Sequence, residues 1–192
     1  MLIKSLRLKS PSQARHAAEA WLPIALSTPD AEAAFAAPLG RRMATLGIGQ
    51  VTGTKPRAGD AGAGISLDLM LASNHERILT TIARHLEDLD APVGSSVGFA
   101  GSTGRVNFGR AEALGLFLGS VDDTARLDVL EACVDALDAA GRYHGSIRKG
   151  HDQVLVFTGD NFNAMVNALR FVIASHPACP EAFTRRLSDW PG

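Results

Sequence analysis

Ile65-Ser66-Leu67-Asp68-Leu69-Met70-Leu71 alternates apolar with polar at a period of two, the mark of a strand with one face turned inward. Asn74 follows as a helix cap, and Ile78, Leu79, Ile82, Leu86 and Leu89 then recur on one helical stripe. Pro92 closes that helix. Short apolar runs at 97–99 and 106–108 flank the turn Gly101-Ser102-Thr103-Gly104, which reads as a hairpin. Residues 65–109 therefore spell strand, helix, strand, strand.

The same order returns further along. A strand over 114–118 precedes a helix carrying Leu127, Leu130, Val134 and Leu137 on one face and closed by Gly141. Strand 143–148 turns at Lys149-Gly150 into Val154-Leu155-Val156-Phe157. A shift of 51 places Ile78 on Val129, Leu86 on Leu137, and Gly94-Ser95 on Gly145-Ser146. The reading is an α+β fold, with mixed or antiparallel sheet layers backed by helices and an internally duplicated β-α-β-β unit, as in ferredoxin-like layers. A last helix is striped by Phe162, Met165, Val166, Leu169, Val172 and Ile173. His176-Pro177 stops it, and 182–187 forms a closing edge strand.

On the N-terminal side, Leu2, Leu6 and Leu8 suit an edge strand. Ser10-Pro11 would open a helix whose face is Ala14, Ala17, Ala18, Trp21 and Leu22. Pro29-Asp30 starts a short helix around Phe35, which Pro38-Leu39-Gly40 interrupts, with one more helical turn over 41–46. Residues 47–54 read as a strand, and 55–64, rich in turn formers, as a flexible hairpin loop. The 192 residues suit a single domain (1–192), divided into an N-terminal segment 1–46, a first unit 47–112 and a second unit 113–192.

A hydrophobic share of 46% and a charged share of 20% are those of a folded globule, and at this length no disulfide staple is needed. The net charge of -1, without a Lys/Arg run, points away from nucleic acid and from anionic membranes. Cys133 and Cys179 make no CxxC pair and are expected as buried apolar residues in a reducing compartment. The alternating N-terminus lacks the apolar core of a signal peptide, so a cytoplasmic protein is expected.

Gly94-Ser95-Ser96-Val97-Gly98 matches the G-x-S-x-G elbow of hydrolases, but that elbow needs strand, turn and helix in order, and here a strand follows. Ser96 is therefore expected in a structural turn. The glycines of 55–64 could cradle a phosphate with backbone N–H groups, yet they lead into a strand and carry no following Lys-Ser/Thr. His75 and His85 lie about 280° apart around their helix and cannot share an ion. His144 and His151 sit across a hairpin, and His176 with Cys179 lacks two further zinc ligands. Asp122-Asp123 suit a helix start, while Asp128, Asp135 and Asp138 suit its wet face. No metal or cofactor is expected.

Four short strings occur together in this order: Leu46-Gly47-Ile48-Gly49-Gln50-Val51-Thr52-Gly53, Ala91-Pro92-Val93-Gly94-Ser95-Ser96, Asn107-Phe108-Gly109 leading to Leu114-Gly115-Leu116-Phe117-Leu118, and His176-Pro177-Ala178-Cys179. They make residues 39–187 resemble the bacterial immunity proteins encoded beside secreted polymorphic toxins. That resemblance implies a non-enzymatic protein which binds one cognate toxin in the cytoplasm and covers its active site. The helix stripes must cover the sheets, so recognition is expected on loops and strand ends. Asp122, Asp123, His151 and Asp152, at the acidic corner and the hairpin tip, are the favoured contacts, because the charge of the three aspartates opposes the basic groups of a substrate cleft. The loop 55–64 and the turn 101–105 are the other exposed candidates. The alternative functions are a ligand-binding regulatory domain using 55–64, or a hydrolase using Ser96.

Overall fold

The computed structural model describes residues 15–59 and 62–189. The expected strand over 2–8 and the Ser10-Pro11 helix start lie outside them. The chain builds an α+β fold of two antiparallel sheets, the first five-stranded in the order β2-β3-β1-β4-β5 and the second four-stranded in the order β7-β8-β6-β9. The strands are β1 (His16–Leu22), β2 (Gly49–Gly59), β3 (Gly62–Leu71), β4 (Ser95–Phe99), β5 (Arg105–Phe108), β6 (Glu112–Phe117), β7 (Arg142–Lys149), β8 (Asp152–Gly159) and β9 (Phe183–Arg186). The helices are α1 (Thr28–Ala31), α2 (Ala37–Leu46), α3 (Glu76–Glu87), α4 (Asp123–Leu137) and α5 (Phe162–Ser175).

Both halves repeat one topology. β1, α1/α2, β2, β3, α3 and β4 give the order 2-3-1-4 within the first sheet, and β6, α4, β7, β8, α5 and β9 give it again in the second. This is the ferredoxin-like arrangement, with β5 added at one edge. A β-α-β-β unit is thus used twice, but its first copy is β1 to β3. The shift of 51 instead lays the edge strand β5 on the central strand β8. The two Gly-Ser steps also differ: Gly94-Ser95 leads into β4, whereas Gly145-Ser146 occupies a bulge in β7.

The segment His16–Leu22 is a strand, not the Ala-rich helix expected. Ala18, Ala20 and Leu22 are buried while Glu19 and Trp21 take the opposite face, and the strand pairs with β3 over its full length and with β4. Seven rungs of pairing at the sheet centre override the helical preference of alanine, which is a weak prior. Pro38 does not interrupt its helix either. The turn Glu32–Ala36 widens to a π-helix, and Pro38 falls in the first turn of α2, where its missing N–H costs little. Of the expected loop 55–64, residues 55–59 and 62–64 belong to strands: Lys55, Pro56 and Arg57 pair with Ser66, Ile65 and Gly64 inside the β2–β3 ladder.

Helix-facing residues of the first sheet (Ile65, Leu67, Leu69, Leu71) pack on Phe35, Leu39, Leu79 and Ile82. The second sheet packs Leu114, Leu116, Leu155 and Phe157 against α4 and α5. Its other face carries Phe117, Val154 and Val156, which belong to the first half's core. Asp30 of α1 closes that contact by accepting from the Ser146 N–H at 2.9 Å. Gly145, at φ 150°, is obligatory there, since a Cβ would lie 2.5 Å from Asp30.

Candidate functional site

Asp122 and the β7–β8 tip are thirty residues apart in sequence and adjacent in the fold. The Leu118 N–H donates to the Gln153 carbonyl at 2.9 Å, and the Gln153 N–H to the Gly119 carbonyl at 3.0 Å. These bonds hold the β6–α4 loop beside the hairpin tip at one end of the second sheet. Asp122 caps α4, its Oδ1 accepting from the Ala125 N–H at 2.8 Å. Asp123 stands exposed in the first turn, 3.5 Å from Arg126 Nε. His151 is exposed in the turn and Asp152 half-buried at the start of β8. All four expected contact residues therefore share one rim.

That rim has an apolar member the sequence reading missed. Phe183 opens β9 opposite Phe117, stacks on its ring with centroids 4.8 Å apart, and is 52% exposed. Only the closing edge strand hinted at it, because exposure cannot be read from a β-strand aromatic.

Other candidates disperse. Ser96 lies within β4 rather than in a turn, paired to Trp21 and Asn107, and its Oγ accepts from Arg105 Nε at 2.9 Å. No helix follows it, so it has no nucleophile elbow. Residues 55–59 and 62–64 belong to β2 and β3 of the first sheet, and 101–104 form the turn between its β4 and β5, whereas the acidic rim lies on the second sheet. His85 Nε2 accepts from Arg42 at 3.4 Å, and His176 Nδ1 from the Ala178 N–H at 3.2 Å. His144 is buried against Phe35 while His151 is exposed, so the hairpin does not bring them together. Asp128 and Asp135 occupy the wet face of α4 as expected. Among the described residues, no group of three His, Cys, Asp or Glu is placed to hold a metal, and no helix is long and apolar enough to cross a membrane.

A second concavity lies at the opposite end of β7 and β8, where the halves meet. A cleft of about 500 Å³ runs between the ends of α3 and α4 and the β7–β8 strands, and a neighbouring one of about 330 Å³ shares Arg142 and Tyr143 with it. Arg142 Nη1 bridges the halves by pairing with Asp90 Oδ2 at 2.9 Å. Among the described residues, two buried side-chain polar atoms lack a hydrogen-bond partner, Thr158 Oγ1 and His144 Nε2; Thr158 is among the residues around the larger cavity and His144 among those around the smaller. The only two positive-φ residues there other than glycine, Asp90 (61°) and Asp138 (42°), line the larger. Burial, with Arg142 adding to it, lowers the His144 pKa to about 4. Burial likewise pushes the Tyr143 hydroxyl up.

Comparison with protein-family models and with curated proteins finds no match. Among solved structures, a protein of unknown role from Galdieria sulphuraria is 9% identical, with 90% of this chain and 98% of that one covered at a TM-score of 0.30. The regulatory subunit of aspartate kinase from Thermus thermophilus is 12% identical, with 83% and 95% covered at 0.28. Likeness of this degree carries no functional argument, and the fold assignment rests on the strand orders above.

Proposed function

We propose that this chain is an immunity protein, a non-enzymatic cytoplasmic partner that neutralises one cognate bacterial toxin by direct contact. The observation supporting this reading is the rim itself. Three carboxylates from two separate loops lie at the same end of the second sheet as an exposed aromatic, an end fixed by backbone hydrogen bonds. Such a rim combines an apolar anchor with acidic groups that steer a basic cleft into register. A stable complex would bury roughly 1,600 Å² in total.

The test begins with the gene next door. Its product is co-expressed with this chain, and deletion of this gene is expected to be lethal only when that product is made. Purified together, the two should elute as one complex. The triple variant Asp122→Lys, Asp123→Lys, Asp152→Lys is then titrated against the partner. Removing and reversing three charges should weaken binding by at least 2 kcal/mol, with the loss of steering seen in a slower on-rate. A folded triple variant of unchanged affinity would move the interface elsewhere. A neighbour with no toxic activity and no complex would end the immunity reading.

A further inference from the structure

We propose that the cleft at the junction of the two halves is a binding site for a linear aliphatic polyamine. It lies at the far end of β7 and β8 from the acidic rim, so it does not depend on the toxin-binding reading.

Sheet geometry puts the two unpartnered atoms on one side. Leu155 and Phe157 of β8 face α4 and α5, so Val154, Val156 and Thr158 face the first half. Arg142 pairs with Thr158 across the ladder and reaches the same way, to Asp90. The register shift between Tyr143 and Gly145 leaves His144 without a rung and turns its ring onto Phe35. Thr158 is 1% exposed and His144 9%. A buried polar atom without a partner costs about 1–3 kcal/mol, so each of these two residues, set beside adjoining cavities, would gain from a donor supplied there.

The chemistry of that partner follows from what is left unmatched. Arg142 is neutralised by Asp90, whereas Asp138 and Asp160 stand exposed at the cleft with no ion pair among the described residues. Carboxylates only accept hydrogen bonds, Thr158 Oγ1 can accept, and Nε2 of a neutral imidazole accepts in one of its two tautomers. The matching ligand is therefore cationic and rich in donors. Val134 and Leu137 supply an apolar wall for methylene groups between the amines. Two adjoining cavities, rather than one round one, favour an extended molecule over a compact amine.

Spermidine is titrated calorimetrically into the full chain, with putrescine beside it and with citrate and KCl at matched ionic strength. The expected result is saturable one-to-one binding of spermidine, a raised Tm, and no binding of citrate. Asp138→Asn with Asp160→Asn changes two exposed residues and should weaken binding about tenfold. Thr158→Val removes the unpartnered hydroxyl. It should leave the unliganded Tm equal or higher while weakening spermidine severalfold, a pair of shifts that simple structural damage cannot produce. Absence of saturable spermidine binding, preference for citrate, or unchanged affinity in both variants would overturn the proposal.

Discussion

The two halves share a strand order and differ in what their helix-free sheet faces meet. On β3 that face presents Ser66, Asp68 and Met70; on the corresponding β8 it presents Val154, Val156 and Thr158. The first face carries ion pairs, with Glu19 taking Arg57 and the Ser66 hydroxyl, and Lys55 pairing with Asp68. The second is pressed onto the first half's core. One topology thus supports either a wetted face or a second core, and the side chains on every other residue decide which. Parity along a strand, not strand order, carries this information.

A Lys at each position puts the difference to its strongest test. Val156→Lys would bury an unpaired charge at a 0% exposed site and should cost about 4 kcal/mol or more, a large share of the stability of an ordinary domain. Met70→Lys, on the half-buried open face, should cost less than about 1 kcal/mol. Urea denaturation followed by circular dichroism measures both. Equal losses would mean that something in the protein covers the first face too.

The same parity explains what could be read from the sequence. β3 and α3 were legible because their burial is one-sided and their periods clean. Continuous apolar runs at 114–118 and 154–157 were recognised as strands, yet nothing local says that both faces are covered by different layers. At β1, Ala17, Ala18, Trp21 and Leu22 fit a helix stripe while Ala18, Ala20 and Leu22 fit a strand face, and only the two partner strands settle the matter. The shift of 51 aligns glycine-rich joins rather than strands of equal place in the two sheets, because such joins recur wherever strands turn. Asp122 is exposed and Asp152 half-buried, and their adjacency depends on bonds between residues 118, 119 and 153, which no local pattern announces. The cleft was invisible, since Thr158 in a strand signals nothing until its hydroxyl is found without a partner.

Acid sharpens the comparison at the buried face. His144 is held neutral by burial, with a pKa near 4 against an ordinary 6.5, so the unfolded chain takes up the proton first. Its contribution is complete above about pH 6.5 and is lost as pH falls towards 4, to a limit of about 3 kcal/mol. Stability measured across that window in the native chain and in His144→Phe should diverge. Parallel curves would show that this ring does not carry the acid sensitivity.

Smaller effects belong to the open face. Glu19 is the hub there, 29% exposed in its side chain and facing two arginines and a serine. Glu19→Gln should cost about 1–2 kcal/mol, because Arg57 and Arg105 lose their counter-charge. Lys55→Ala removes a pair that is 65% and 36% exposed, and should change stability by less than about 0.5 kcal/mol. A reversal of that order would show the network to be organised around Asp68 instead.

The last test reads the seal of the second half's helix layer, where both cysteines lie. Cys133 of α4 is 0% exposed and Cys179 is 4%, and both belong to the core that α4 and α5 close over the sheet. Burial, with Cys179 nearby, pushes the Cys133 thiol up to about 12, and burial raises Cys179 as well. The thiolate is the reactive form, so neither should be attacked by a disulfide reagent at pH 8 in the folded protein. In denaturant both should react at once, giving two equivalents per chain. One equivalent released slowly from the native protein would identify a local opening, and the faster of the two sites would name it. If Cys179 were the faster, the turn after α5 opens apart from the sheet. If Cys133 were, α4 itself lifts, and the layer beneath it is less closed than the first half's core.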